Sequence, residues 1–156
     1  MRIRLIAVST RMSAWVDAAV VDYSRRLRGA AALELVEVPS ARRSGAADAA
    51  RAVATEGERI LAQLAARDYA VALDERGRSF TTVQFSDWLG ARRQAGEPLS
   101  FIIGGPDGLA TAVLARAQLR WSLSELTFPH ALVRVMLAEQ LYRAATVLAG
   151  HPYHRP

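Results

Sequence analysis

A chain of 156 residues, 51% hydrophobic and 22% charged, is long enough to bury one core and has the balance of an ordinary water-soluble globule. It holds no cysteine and no lysine, which excludes disulfides, thiolate nucleophiles, cysteine-ligated zinc, P-loop nucleotide hydrolysis and lysine Schiff-base chemistry. All 20 basic residues are arginine and the net charge is +5, so the planar, bidentate guanidinium fork points to an anionic partner such as RNA or DNA.

The chain opens on Arg2-Ile3-Arg4-Leu5-Ile6-Ala7-Val8. Residues 2–8 read as a strand rather than a secretory signal, because the apolar stretch is short and no small-residue cleavage site follows. No run of about 18 apolar residues exists, so a cytoplasmic protein without a membrane span is expected. A helix is predicted over 14–27 with Ser13 as its N-cap, then a strand over 33–38. The irregular stretch 39–47, containing Arg42-Arg43-Ser44-Gly45, reads either as a mobile basic loop or as a solvated connection.

A helix over 48–66 and a strand over 69–73 follow. The next helix, 83–95, starts after Thr81-Thr82 and stops at Gly96 and Pro98. A strand over 99–103, a short helix over 111–117, a weaker strand over 120–123 and a helix over 131–149 complete the chain. Leu132, Val135, Met136, Leu141 and Leu148 are predicted as the apolar stripe of that last helix. Strands alternating with helices imply an α/β fold in one domain, 1–156, with a mostly parallel sheet and helices on both faces. Continuous apolar runs such as Tyr69-Ala70-Val71-Ala72-Leu73 suit central parallel strands.

Ligands of open α/β sheets bind outside the carboxyl ends of the strands. Three such ends are predicted to lead into unusual turns: Leu73 into Asp74-Glu75-Arg76-Gly77, Ile103 into Gly104-Gly105-Pro106-Asp107-Gly108, and Leu123 into Ser124-Glu125-Leu126-Thr127-Phe128. In a parallel sheet all three rise on one side and can share a ligand. The spacing G-G-x-x-G is neither a P-loop nor the dinucleotide fingerprint, and a tight turn into the next helix explains it equally well. The histidines, His130, His151 and His154, all lie late in the chain. His130 alone suits a surface or capping role. The terminal His151-Pro152-Tyr153-His154-Arg155 is different, because it gathers a proton acceptor, a donor and an anion-holding fork. No carboxylate stands at ligand spacing from His151 and His154, so no metal is expected.

Gly104-Gly105-Pro106-Asp107-Gly108, the run Leu123 to Phe128 with Pro129-His130, the segment Leu132-Val133-Arg134-Val135 with Glu139-Gln140-Leu141-Tyr142-Arg143-Ala144, and the terminal His151-Pro152-Tyr153-His154-Arg155 together resemble the bacterial 23S rRNA pseudouridine N3-methyltransferases of the SPOUT class, the large-subunit methyltransferase H family. The likeness spans essentially the whole chain. Unknotted connections would be the default; the resemblance implies instead that the C-terminal third threads through a loop as a deep trefoil knot. It implies a homodimer, S-adenosylmethionine as methyl donor without a metal, and N3 of a pseudouridine in 23S rRNA of the 70S ribosome as acceptor. Leu73, Gly104, Leu123, Ser124, Glu125, Leu126, Thr127 and Phe128 would hold the donor. His130, Tyr153, His154 and Arg155 would form the acceptor site, with His130 and His154 as candidate bases. Arg11, Arg42 and Arg43 would grip phosphates, although the family's basic loop is richer in lysine. Glu125 would face the donor or water, and Pro156 would slightly restrict the tail. Two competitors remain at this point: a non-catalytic RNA-binding, ribosome-assembly module, and an oxidoreductase on a dinucleotide fold.

Overall fold

The computed structural model describes residues 1–9 and 11–155, so Pro156 and its expected restraint on the tail lie outside the described residues. Elements alternate as expected: β1 (Arg2–Ser9), α1 (Ala14–Leu27), β2 (Ala32–Pro39), α2 (Ala46–Leu61), β3 (Tyr69–Ser79), α3 (Thr82–Gln94), β4 (Leu99–Ile103), α4 (Thr111–Arg116), β5 (Leu119–Ser122) and α5 (His130–Leu148). The strands form a five-stranded sheet in the order β2-β1-β4-β3-β5, with every pairing parallel.

Period-two alternation divides the core between the two faces. Ile3, Leu5 and Ala7 of β1 join Leu99, Phe101 and Ile103 of β4 in one cluster, which also takes in Leu27 of α1, Phe85 and Leu89 of α3, and Leu137 and Leu141 of α5. Ile6, Val8 and Ile102 point the other way and meet Ile60 of α2 and Val113 of α4. The central strands are therefore buried on both faces, which is why they read as unbroken apolar runs. Ser100, fully buried in β4, is tolerated because its hydroxyl donates to Asp68 Oδ2 at 3.2 Å.

Helix ends follow local chemistry. Ser13 occupies the N-cap of α1, but its side chain makes no capping hydrogen bond. At α3 the Thr81 hydroxyl accepts from Gln84 N at 3.2 Å while Gln84 Oε1 accepts from Thr81 N at 2.9 Å, a reciprocal capping box. Thr81→Ala is expected to lower stability by about 1 kcal/mol, measured by urea unfolding. Helix α2 stops at Leu61, short of the predicted residue 66. Arg4 Nη1 takes the Gln63 carbonyl at 2.6 Å, and Arg116 Nη2 takes those of Ala65 and Ala66 at 3.0 and 3.4 Å. Carbonyls satisfied from other elements no longer need helical partners.

Two further expectations are corrected. Strand β3 does not end at Leu73: both Leu73 and Arg78 pair with Trp121, so residues 74–77 bulge outward and the strand resumes to Ser79. Gly77 makes this possible, since a Cβ there would stand 2.6 Å from the Arg120 carbonyl carbon. The buried face of α5 is Arg134, Leu137, Ala138, Leu141, Ala144 and Thr146. Of the predicted stripe only Leu141 belongs to it; Leu132, Val135 and Met136 are half-buried and Leu148 is exposed. Among the described residues no helix is long and apolar enough to cross a membrane.

Candidate active site

The carboxyl edge of the sheet carries a cavity of about 530 Å³. One lip is the β3 bulge, with Leu73, Asp74 and Glu75; the second is the turn after β4, from Gly104 to Gly108; the third is the β5–α5 connection, with Leu123, Ser124, Leu126, Thr127 and Phe128. Trp121 and Ile103 contribute from the strands, and His130 and Val133 from the start of α5. Behind the cavity, Trp121 stacks on Phe85 with centroids 4.2 Å apart, so α3 backs one wall with a rigid aromatic surface.

Each lip is held by its own backbone. Gly108 adopts φ +81° and its N–H donates to the Gly105 carbonyl at 3.1 Å, which curls the second lip. A Cβ on Gly104 would meet the Gly108 carbonyl oxygen at 2.6 Å, so that strand end is open to a ligand only because the side chain is absent. In the third lip the Ser122 hydroxyl donates to the Ser124 carbonyl at 2.8 Å, and the Ser124 hydroxyl accepts from Leu126 N at 2.9 Å. Leu126 is thereby left 71% exposed at the rim. The Thr127 hydroxyl donates to Glu75 Oε2 at 3.3 Å, closing the first lip against the third.

Charge around the cavity is ordered. Arg120 Nε donates to Asp74 Oδ2 at 2.9 Å. Burial alone would raise the Asp74 pKa, but the Arg120 hydrogen bond and the Arg76 backbone N–H hold it below the ordinary carboxylate value. Arg43, expected to be a free phosphate grip, is committed instead: Nη1 donates to buried Glu56 at 2.7 Å and Nε to Asp107 at 2.6 Å. It ties the basic loop to the glycine turn. Arg11 and Arg42 are exposed.

His130 is the first residue of α5, not the residue before it, and lines the cavity. Burial, reinforced by the charge of Arg134, lowers its pKa below 6.5. Arg134 is itself 1% exposed; Nη2 donates to the Val8 carbonyl at 2.9 Å and Nη1 to Glu37 at 3.1 Å, which pins the first turns of α5 to the ends of β1 and β2. The i, i+4 spacing of His130 and Arg134 puts them on one helix face, a sequence signal that had carried no assigned role.

Leu73, Gly104, Leu123, Ser124, Leu126, Thr127 and Phe128 thus converge as predicted, whereas Glu125 is exposed and does not line the cavity. The tail does not meet His130 within one chain. Tyr153 packs on Tyr142 with centroids 4.7 Å apart, its hydroxyl donates to Glu139 Oε1 at 3.2 Å, and the Arg143 guanidinium lies 5.0 Å from its ring centre. Arg143 also pairs with Glu139 and reaches His154 Nδ1 at 3.5 Å. Burial and the hydrogen bond with Tyr23 push the Tyr153 pKa up to about 12, so its hydroxyl stays a donor near neutrality. Positions 139–143 lie roughly 14–20 Å along the axis from His130 at 1.5 Å per residue. Glu139 and Arg143, the tail's anchors, were legible only as an i, i+4 ion pair.

Residues 1–154 match the sequence model of a family described as predicted SPOUT methyltransferases. Among curated proteins the chain is 53% identical over 155 residues to the ribosomal RNA large subunit methyltransferase H of Thioalkalivibrio sulfidiphilus, covering 99% of each chain. It is 52% identical over 155 residues to the protein of the same name from Alkalilimnicola ehrlichii, again over 99% of each. Among solved structures, a methylase family protein of Haemophilus influenzae superposes with a TM-score of 0.60 at 13% identity, over 99% of this chain and 70% of that one. At that identity the likeness concerns the fold.

Proposed function

The chain belongs to the SPOUT methyltransferase family, and on that footing we propose that it transfers a methyl group from S-adenosylmethionine to N3 of a pseudouridine in 23S rRNA, acting in the cytoplasm on the assembled 70S ribosome. The observation that carries this reading is the convergence of three turns, Leu73 with the β3 bulge, Gly104 with its curl, and Leu123 to Phe128, on one cavity. Its volume falls within the roughly 300–1,000 Å³ usual for small-molecule sites. The Cβ-free cradle at Gly104 and the apolar Leu73, Leu123, Leu126 and Phe128 suit a flat adenine with a polar ribose edge. Family membership further implies the trefoil-knotted form of the fold, here within a single domain of residues 1–156.

The donor, when bound, supplies a methyl group already activated on a positively charged sulfur, so the reaction needs one in-line displacement. The protein must then align the acceptor nitrogen and remove its proton. His130, on the cavity wall and neutral at physiological pH, is placed to take that proton; His154 of the tail is the other candidate. Arg155 would stabilise negative charge on the flanking carbonyls, and Tyr153 would orient the ring by stacking or hydrogen bonding. One chain holds cavity and tail far apart along α5, so a homodimer in which each tail completes the other subunit's cavity accounts for both.

Calorimetry should show S-adenosylmethionine binding and no NAD binding; NAD binding alone would refute the assignment. Incubation with 70S ribosomes and with bare 23S rRNA, followed by mass spectrometry, should locate one added methyl on a pseudouridine, preferentially in the ribosome. A pH series adds a test of the base. With the His130 pKa lowered below 6.5, the rate should hold at pH 6.5 and decline only as pH falls through the depressed value. His130→Gln should lose that acidic limb together with most of the rate. The same limb persisting in this variant would remove His130 as the base.

A further inference from the structure

The amino-terminal edge of the sheet, the pole opposite the cavity above, carries a second concavity of about 510 Å³ lined by Arg2, Arg4, Arg67, Asp68, Arg93 and Glu97. Its carboxylates are already engaged. Asp68 Oδ2 accepts from Ala65 N at 3.0 Å, from the Ser100 hydroxyl at 3.2 Å and from Arg4 Nη1 at 3.5 Å. Glu97 Oε2 accepts from Arg92 at 2.9 Å, and Arg2 shares Glu34. Arg67 and Arg93 are exposed and have no ion pair or side-chain hydrogen bond among the described residues. Arg4 presents a buried Nε that also lacks a partner. The groove is therefore positive, with two unspent guanidinium forks on its rim.

Its position relative to the tail gives the groove a use. Helices α3 and α5 run side by side in the same direction: the Ser86 hydroxyl donates to the Ala144 carbonyl at 3.1 Å, and Leu148 would lie 3.0 Å from a Cβ on Gly90. Arg93 follows Gly90 by about one helical turn. The end of α5, the tail and the groove thus share one pole of the molecule, while the cavity occupies the other. Resting on the dimer proposed above, a tail that enters the partner's cavity brings this groove to the side of that cavity's mouth.

We propose that the groove of each subunit grips phosphates of the RNA strand flanking the nucleotide held in the partner's cavity, with Arg67 and Arg93 as the contacting residues. Arginine forks match phosphate geometry, and each neutralised phosphate releases counterions, which makes the contact salt-dependent. The substrate surface then extends across two subunits, and the groove contributes affinity and register without touching the reacting atoms.

The test is the double variant Arg67→Ala/Arg93→Ala, both positions exposed, measured on 70S ribosomes and on protein-free 23S rRNA over a salt series. Weaker binding to both is expected, with the slope of log affinity against log salt reduced by about 1.5–2, near 0.9 per lost phosphate. In methyl transfer, KM for ribosomes should rise roughly tenfold with kcat and donor affinity held, and Arg67→Lys/Arg93→Lys should restore most of the loss. Unchanged affinity and slope on both substrates would overturn the proposal. Weakening on 70S ribosomes alone would also overturn it, by assigning the groove to an acidic ribosomal protein. A wild-type chain that neither binds S-adenosylmethionine nor methylates would defeat the proposed function instead, since RNA binding is read separately.

Discussion

Truncation after Pro152 is expected to reduce methyl transfer by at least about 10³-fold, the combined scale of losing a proton-transfer group and an electrostatic stabiliser. Affinity for S-adenosylmethionine should stay within about twofold, because no tail residue lines the cavity of its own chain. Folding should survive: Tyr153 sits on α5 against Tyr142, Glu139 and Arg143, outside both core clusters. The decisive version combines chains. Co-expressing the truncated subunit with one whose cavity is blocked yields mixed dimers that hold one intact composite site, an undamaged cavity facing an undamaged tail. Random pairing in a two-fold dimer should recover about a quarter of wild-type activity. Recovery requires the tail to act across the interface. An inactive mixture, from subunits shown to pair, would place the tail's function in its own chain or nowhere.

Gly104→Val supplies the blocked cavity and is the second large effect. Even the Cβ of alanine would stand 2.6 Å from the Gly108 carbonyl oxygen and 3.2 Å from Leu109 Cδ2, and the first of these neighbours is backbone that cannot swing aside. The valine must either displace the turn or occupy the cradle. Donor affinity is expected to fall by about 10²-fold or more, with a stability loss of about 1–3 kcal/mol from the strained turn. Calorimetry with the donor and thermal unfolding separate the two. A folded variant that binds S-adenosylmethionine with wild-type affinity would remove the β4 turn from the donor site, and with it the argument that three turns share one ligand.

Much of this molecule is written locally. Apolar runs such as Leu99-Ser100-Phe101-Ile102-Ile103 declare strands covered on both faces, and the helices between them declare parallel order. That order places the turns after Leu73, Ile103 and Ser122 at one edge, so Leu73, Gly104 and the Leu123–Phe128 run were assignable to one cavity from neighbour-to-neighbour signals. Tertiary structure decided what local signals leave degenerate. Helix α5 is apolar on several sides, so periodicity alone cannot choose its buried face. Packing against α1 and α3 selected Leu137, Leu141 and Ala144, and turned Arg134 inward where the Val8 carbonyl and Glu37 satisfy it. The continuation of β3 beyond Leu73 likewise depends on β5, a strand far along the chain, offering Trp121 twice. Arg43 looks in sequence like a free cation, and only the fold brings Glu56 and Asp107 to it. Contacts between residues distant in sequence form when elements pack, and a single chain's pattern carries no separate mark of them.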